Sequence, residues 1–328
     1  MTAPSIAIVM PAYNAAHLLP EVLPAALRAA AGATVLVVDP GSTDGTARVA
    51  EQLGAQVVRL PKQAGPARAR NVGVAHVDAD VVLFIDSDCV AKPDVVERVR
   101  EAFAADPNLV SLTGSYDDAP PEPNFFSQYM NLRHHLTHQR ARREDATFWA
   151  GCGAVRREVF LAVGGYDEVR FPRPQVEDIE LGYRLREKGA ARLDPDLQVK
   201  HLKRWTLRNA VFTDIVERGI PWTTLMLERG GVPNDLNLRT SQRIAAALAP
   251  LALLAVAALP VALVAGAWTL AAASALALAI SFALQRELMG EFARPRGAAF
   301  ALRAFLFHQV HLTYSGATFV FCWLRNRL

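Results

Sequence analysis

Apolar positions along the chain fall into three regimes. Up to about residue 205, short apolar runs alternate with stretches in which apolar residues recur every three or four positions. The runs at 6–10, 34–38, 56–60, 81–85 and 109–112 predict strands. The periodic stretches at 18–31, 46–53, 67–75 and from Pro93 to about Ala104 predict helices, the first closed by Gly32. Strands that are apolar throughout and separated by helices predict a doubly wound α/β layer with a parallel sheet covered on both faces. Ligands bind such a layer at the carboxyl ends of its strands. Further helices are predicted at 125–143, 156–163 and 177–188, and a short strand at 198–200, as a second half of the same domain.

The second regime, 206–243, mixes aromatic, leucine and basic residues. It predicts an amphipathic segment on an anionic lipid surface. In the third, 244–268 is long and apolar enough to span a bilayer, and 270–284 continues it after a break around Gly266. No charged residue lies between Ile244 and Gln285, which argues against a soluble helical core. A basic loop with Arg286, Arg294, Arg296 and Arg303 follows. The last apolar run, 304–324, carries His308, Gln309 and His311, and either spans or lies in the interface. Basic loops concentrate on the cytoplasmic side, so two crossings return the chain to the side of its N-terminal domain. No leader-like segment precedes residue 6. These patterns predict a multi-pass protein of the cell inner membrane with its N-terminal domain in the cytoplasm.

Charge changes this picture little but excludes one class. Thirty-five Lys and Arg against 32 Asp and Glu leave a net charge of +3, unlike the strongly basic face of a nucleic-acid binder. The cysteines, Cys89, Cys152 and Cys322, have no zinc or redox spacing and fit a reducing compartment.

Candidate chemistry gathers at predicted strand ends. Asp86-Ser87-Asp88 follows the strand at 81–85. Two carboxylates at that spacing suit a hard divalent cation shared with a diphosphate. Asp39 ends the strand at 34–38, and Gly41-Ser42-Thr43-Asp44-Gly45-Thr46 then turns into a helix. Arg68 and Arg70 lie near the start of the helix after Gly65, a place suited to phosphates.

Together these segments resemble the family 2 inverting glycosyltransferases of the GT-A fold. The matching segments are Val9 to Asn14, Asp39 to Thr46, Gly65 to Gly73 with Ala69, Arg70 and Asn71 in register, Asp86-Ser87-Asp88, and an acceptor half made of Trp149 to Phe160, Gly164 to Glu168 and Glu177 to Leu181. Five motifs in the family's order, over about residues 5–205, make the resemblance specific. It implies a GT-A domain with a mixed sheet, a UDP- or GDP-linked sugar donor and Mg²⁺ or Mn²⁺. Pro11, Ala12, Tyr13 and Asp39 would line the nucleobase site, and Arg70 would lie near the nucleotide. Asp86, Ser87 and Asp88 would hold the donor, with Asp88 the more direct metal ligand beside Asp86. Asp178 would be the general base, with Glu177 raising its pKa or positioning it. Trp149 and Gly151 would belong to the acceptor side. Pro40 departs from the family's second Asp and removes both a carboxylate and an N–H.

His201-Leu202-Lys203-Arg204-Trp205 resembles the Gln-x-x-Arg-Trp motif of processive membrane synthases, with His201 in place of Gln. The likeness implies an acceptor-side role, with Arg204 on a lipid phosphate and Trp205 stacked on a sugar. The expectation is therefore a catalytic domain at 1–205, an interfacial segment at 206–243 and a membrane domain at 244–328 with two to three spans. Its activity would be transfer of a single sugar to a lipid or lipid-linked acceptor. The few spans and the missing Gln argue against a processive polysaccharide synthase, and intact Asp88 and Asp178 argue against a catalytically silent binding protein.

Overall fold

In the computed structural model, residues 3–144, 147–231 and 240–327 are described. The chain forms two compact units. Met1–Pro123 with Thr137–Arg204 makes the first, and Asn124–Leu136 with Trp205–Leu328 the second.

The first unit is an eight-stranded sheet in the order β3-β2-β1-β4-β7-β6-β8-β5. Strands β1 (Ile6–Pro11), β2 (Thr34–Asp39), β3 (Gln56–Arg59) and β4 (Val81–Ile85) pair in parallel. They alternate with α1 (Leu19–Ala30), α2 (Thr46–Gln52) and α3 (Pro66–Ala75), as the pattern predicts. Successive side chains on a strand point to opposite faces, and each face here meets its own core. Ile6, Ile8 and Met10 pack with Leu19, Val22 and Leu23 of α1, whereas Ala7 and Val9 pack with Ala67, Ala69 and Val74 of α3. Phe84 of β4 is fully buried and meets Phe148 and Tyr166 edge-on at 6.4 and 5.8 Å.

Beyond β4 the sheet becomes mixed. β7 (Cys152–Arg156) pairs antiparallel with β4 and with β6 (Leu109–Tyr116). β8 (Ala190–His201) pairs parallel with β6 and antiparallel with β5 (Cys89–Ala91). The three-residue β5 and most of β8 exceed the sequence expectation. β8 contains Asp194, Pro195 and Asp196, which break any continuous apolar run. Helices α4 (Val95–Ala105), α6 (Arg157–Ala162) and α7 (Glu177–Arg186) complete this unit. α5 (Phe125–Arg140) contributes its last residues here.

The second unit is helical. α8 (Leu207–Phe212) opens with a capping box in which Thr206 and Asn209 satisfy each other's backbone N–H groups. A π-helical segment, Thr213–Gly219, and α9 (Ile220–Glu228) follow. Residues 232–239 of the expected interfacial segment lie outside the described residues. α10 (Thr240–Val264) and α11 (Trp268–Arg296) are each long and apolar enough to cross a membrane. The expected loop at 286–303 is instead helical but for Gly297, where φ is +82°. At 1.5 Å per residue the 29-residue α11 is roughly 43 Å long, more than the ~30 Å thickness of a hydrocarbon core.

α12 (Ala298–Arg325) buries His308, Gln309 and His311. Tyr129 Oη lies 2.6 Å from His308 Nδ1. Asp214 accepts from Arg133 at 2.9 Å and from Tyr314 at 2.7 Å. These bonds fasten α12 to residues 124–136 and to the π-helical segment.

Candidate active site

Parallel pairing brings the carboxyl ends of β2, β1 and β4 side by side, and with them Asp39, Pro11 and Asp86. Two loops are laced together at this edge. Asn14 Oδ1 accepts from Thr43 N–H and Ser42 Oγ from Asn14 N–H, both at 2.9 Å. Thr46 Oγ1 accepts from Ala15 N–H at 2.8 Å, and Asp44 accepts from Ala16 and Thr46 N–H groups at 3.0 Å. The polar residues of the Gly41–Thr46 loop are thus spent on fixing the loop. Pro11 and Ala12 are buried, Asp39 is buried with Oδ1 accepting from Ser42 N–H at 2.7 Å, and Tyr13 is exposed above them. Pro40 keeps a structural role through its carbonyl, which accepts from Ala64 N–H at 3.0 Å.

Arg70 lies at the centre of a buried charge network. Its Nη2 donates to Asp86 Oδ1 at 2.7 Å and its Nη1 to Glu177 Oε1 at 3.1 Å, while its guanidinium lies over the Tyr166 ring at 5.4 Å. Burial works against the charge on Arg70, but the Asp86 and Glu177 carboxylates outweigh it and hold the side chain protonated. Glu177 also accepts from Gln175 N–H at 2.8 Å, so both of its oxygens are engaged. Asn71, next in the motif, exchanges hydrogen bonds with the Tyr166 backbone and donates to Glu168, which makes it a brace for the 164–168 turn.

Asp178 follows Glu177 at the start of α7. It accepts from Ile179 N–H at 2.8 Å and Ala150 N–H at 3.4 Å. Burial, then the neighbouring Glu177 charge, push its carboxyl up to about 7, against the opposing pull of Arg70. A carboxylate poised there can take a proton near neutral pH.

Gly151 connects this region to the Asp86 edge, its carbonyl accepting from Asp86 N–H at 3.5 Å. A Cβ at 151 would lie 2.2 Å from the Trp149 indole, so glycine lets that partly exposed ring fold back over the backbone.

Beyond Asp86 the chain turns at Ser87, and β5 pairs with the end of β8 so that Cys89 lies opposite His201 and Asp88 O accepts from Leu202 N–H at 2.8 Å. That register carries His201 Nε2 to 3.3 Å from Asp88 Oδ2. Burial alone would raise the Asp88 carboxyl, but His201 and then Lys203 hold it at about 2. Asp88, Cys89 and His201 offer donor atoms that all lie within 4.8 Å of one another, the only such group among the described residues. A carboxylate oxygen and an imidazole nitrogen suit a divalent cation such as Mn²⁺ or Mg²⁺. The Cys89 thiol is held protonated, first by burial and then by the Asp88 charge, and so is a poor ligand. The donor set therefore fits a cation through Asp88 and His201. Asp86 does not join this cluster and turns Oδ1 to Arg70 instead.

One expectation for the 201–205 segment changes. His201 lies beside Asp88, where the β5–β8 pairing orients it. Trp205 is 1% exposed: its N–H donates to Ser127 Oγ at 2.7 Å and its indole to Asn131 at 3.4 Å, leaving no face for a sugar. Arg204 is exposed and lies 3.7 Å from Glu122. The proximity of His201 to Asp88 carries no signal in the sequence pattern, because it depends on the pairing of β5 with the end of β8.

Residues 7–164 match the glycosyl transferase family 2 profile. The succinoglycan biosynthesis protein ExoA of Rhizobium meliloti is 33% identical over 205 residues, 58% of this chain and 60% of that protein. The undecaprenyl-phosphate 4-deoxy-4-formamido-L-arabinose transferase of Sodalis glossinidius is 33% identical over 115 residues, 32% of this chain and 35% of that protein. The chain thus spans at most 60% of the length of these curated relatives. Among solved structures, a mannosyltransferase from Pyrobaculum calidifontis in complex with GDP-Man and Mn²⁺ aligns over 98% of this chain and 88% of its own, with a TM-score of 0.59 at 17% identity. With the sheet order and motif geometry above, residues 7–164 carry a glycosyl transferase family 2 domain on a GT-A-like mixed sheet.

Proposed function

We propose that the protein transfers one sugar from a nucleotide-sugar donor to a lipid or lipid-linked acceptor, with inversion, and that Asp178 is the base. The observation that carries this reading is the raised Asp178 carboxyl, one residue from a glutamate that Arg70 joins to Asp86. The acceptor hydroxyl gives its proton to Asp178 while its oxygen forms the new bond to the anomeric carbon. The bond from that carbon to the diphosphate breaks on the opposite face, and nucleoside diphosphate leaves with the electron pair.

Pro11, Ala12, Tyr13 and Asp39 would hold the nucleobase, and Arg70, Asp86 and Ser87 the rest of the donor. Asp88 and His201 would hold a divalent cation, which when bound supplies positive charge to the diphosphate. The Pyrobaculum mannosyltransferase was solved with GDP-Man and Mn²⁺, in keeping with such a pairing on this fold. Trp149 and Gly151 would shape the acceptor side, with Arg204 at its margin.

A lipid acceptor is favoured by the two candidate membrane helices and by the likeness to an undecaprenyl-phosphate sugar transferase. We assign 1–205 as the catalytic domain, 206–243 as interfacial and 244–328 as the membrane domain, in an inner membrane with catalysis on the cytoplasmic side. The test is Asp178→Asn, which should bind nucleotide as wild type does and lose transfer. Unchanged turnover would remove Asp178 from the mechanism.

A further inference from the structure

Tyr116, packed behind His201, has no part in the chemistry above. Tyr116, the last residue of β6, is 5% exposed, and its ring lies flat against the His201 imidazole, with centroids 4.2 Å apart and planes within 5°. Trp149 meets the same tyrosine edge-on at 4.5 Å, and His138 lies 4.8 Å from Trp149. The backbones of His201 and Tyr116 are fixed by strand pairing, of Cys89 with His201 and of Tyr116 with Val199. What remains undetermined by backbone is the rotation of the imidazole, on which the direction of Nε2 depends. A flat ring packed against one face removes that freedom.

We propose that Tyr116 is a positioning residue for the divalent-cation site: its ring holds the His201 imidazole in the plane that directs Nε2 toward Asp88. The proposal rests on the reading of His201 as a cation ligand. Groups that orient a metal-bound histidine typically contribute 10–100-fold in metal affinity. The role is assigned to the ring face, so the effect should depend on planarity and not on the hydroxyl.

The experiment is Mn²⁺ binding to the purified full-length protein, read by electron paramagnetic resonance of free Mn²⁺. UDP and GDP binding in EDTA serves as the control for an intact nucleotide site. Tyr116→Phe should bind Mn²⁺ within about twofold of wild type, whereas Tyr116→Met, of similar volume but without a flat face, should bind at least about tenfold more weakly. In a His201→Ala background, Tyr116→Met should cause no further loss, because it acts through the imidazole. Full Mn²⁺ affinity in Tyr116→Met, or an equal loss with and without His201, would overturn the positioning role. Wild-type Mn²⁺ affinity in His201→Ala would instead overturn the ligand assignment, and this proposal with it. Should Tyr116→Met fail to fold, Tyr116→Leu is read against the same two criteria. Loss of affinity in Tyr116→Phe equal to that of His201→Ala would also contradict the role of the ring face.

Discussion

His201 Nε2 lies 3.3 Å from Asp88 Oδ2, although 113 positions separate the two residues in the chain. The contact exists because a three-residue strand directly after Asp88 pairs antiparallel with the end of β8. It joins a carboxylate of the Asp-x-Asp motif to an imidazole, and a cation bound there would link both to the donor diphosphate. Replacing Asp88 by Ala should therefore abolish the metal-dependent part of donor binding, and His201→Gln should weaken it. Isothermal titration with UDP and GDP, with Mn²⁺ and with EDTA, checks this. Affinity insensitive to both substitutions and to EDTA would refute it.

The Arg70–Glu177 pair predicts a stability effect. Both side chains are about 5% exposed. Removing one member of a buried pair leaves the other charge unpaired, at a cost of about 3–5 kcal/mol. Arg70→Met should lower the unfolding midpoint markedly, and Arg70→Met with Glu177→Gln should recover part of the loss. Denaturant unfolding in detergent, followed by tryptophan fluorescence, measures both variants.

With Asp178 as the proposed base, activity and stability should respond to pH in opposite directions. Its carboxyl is held at about 7, against an ordinary value of 3.8. As the proposed base, Asp178 would have to be ionised for transfer, so kcat/KM should rise about tenfold per pH unit below 7 and level off above it. The fold binds the proton more tightly than the unfolded chain does, so this group's contribution to stability is full below pH ~4 and is lost as pH rises through 7. Asp178→Asn stays neutral throughout and should melt higher than wild type at pH 8, while losing about 10²–10⁴-fold in turnover. A pH-independent difference in melting would contradict the assignment.

Gly151→Ala tests the acceptor side. The added Cβ meets the Trp149 indole at 2.2 Å and must displace it. Acceptor KM should rise several-fold with donor affinity unchanged. A change confined to donor binding would move Gly151 out of that role.

Much of this was legible from local pattern. The runs at 6–10, 34–38 and 81–85 became β1, β2 and β4, because strands buried on both faces need apolar residues at every position. Asp39 and Asp86 were legible as edge residues for the same reason. What escaped was set by pairing between distant segments. Neither β5, at three residues, nor β8, interrupted by Asp194, Pro195 and Asp196, carries a periodic signal, so their register and the His201–Asp88 contact were invisible. Trp205 misled because a basic-aromatic motif looks exposed in sequence, whereas Ser127 and Asn131 hold the indole in a core. The long helical continuation of α11 through Arg286 and Arg294 was hidden by charge, which argues for a loop only where no helix already runs.

The most direct test supplies full-length protein in bilayers with radiolabelled UDP- and GDP-sugars and a bacterial lipid extract, with Mn²⁺ or with EDTA. The account predicts label in the organic phase from one donor, one sugar per lipid by mass spectrometry, dependence on the cation, and loss in Asp178→Asn. Label appearing only in water-soluble or polymeric product, or none from any donor, would contradict it.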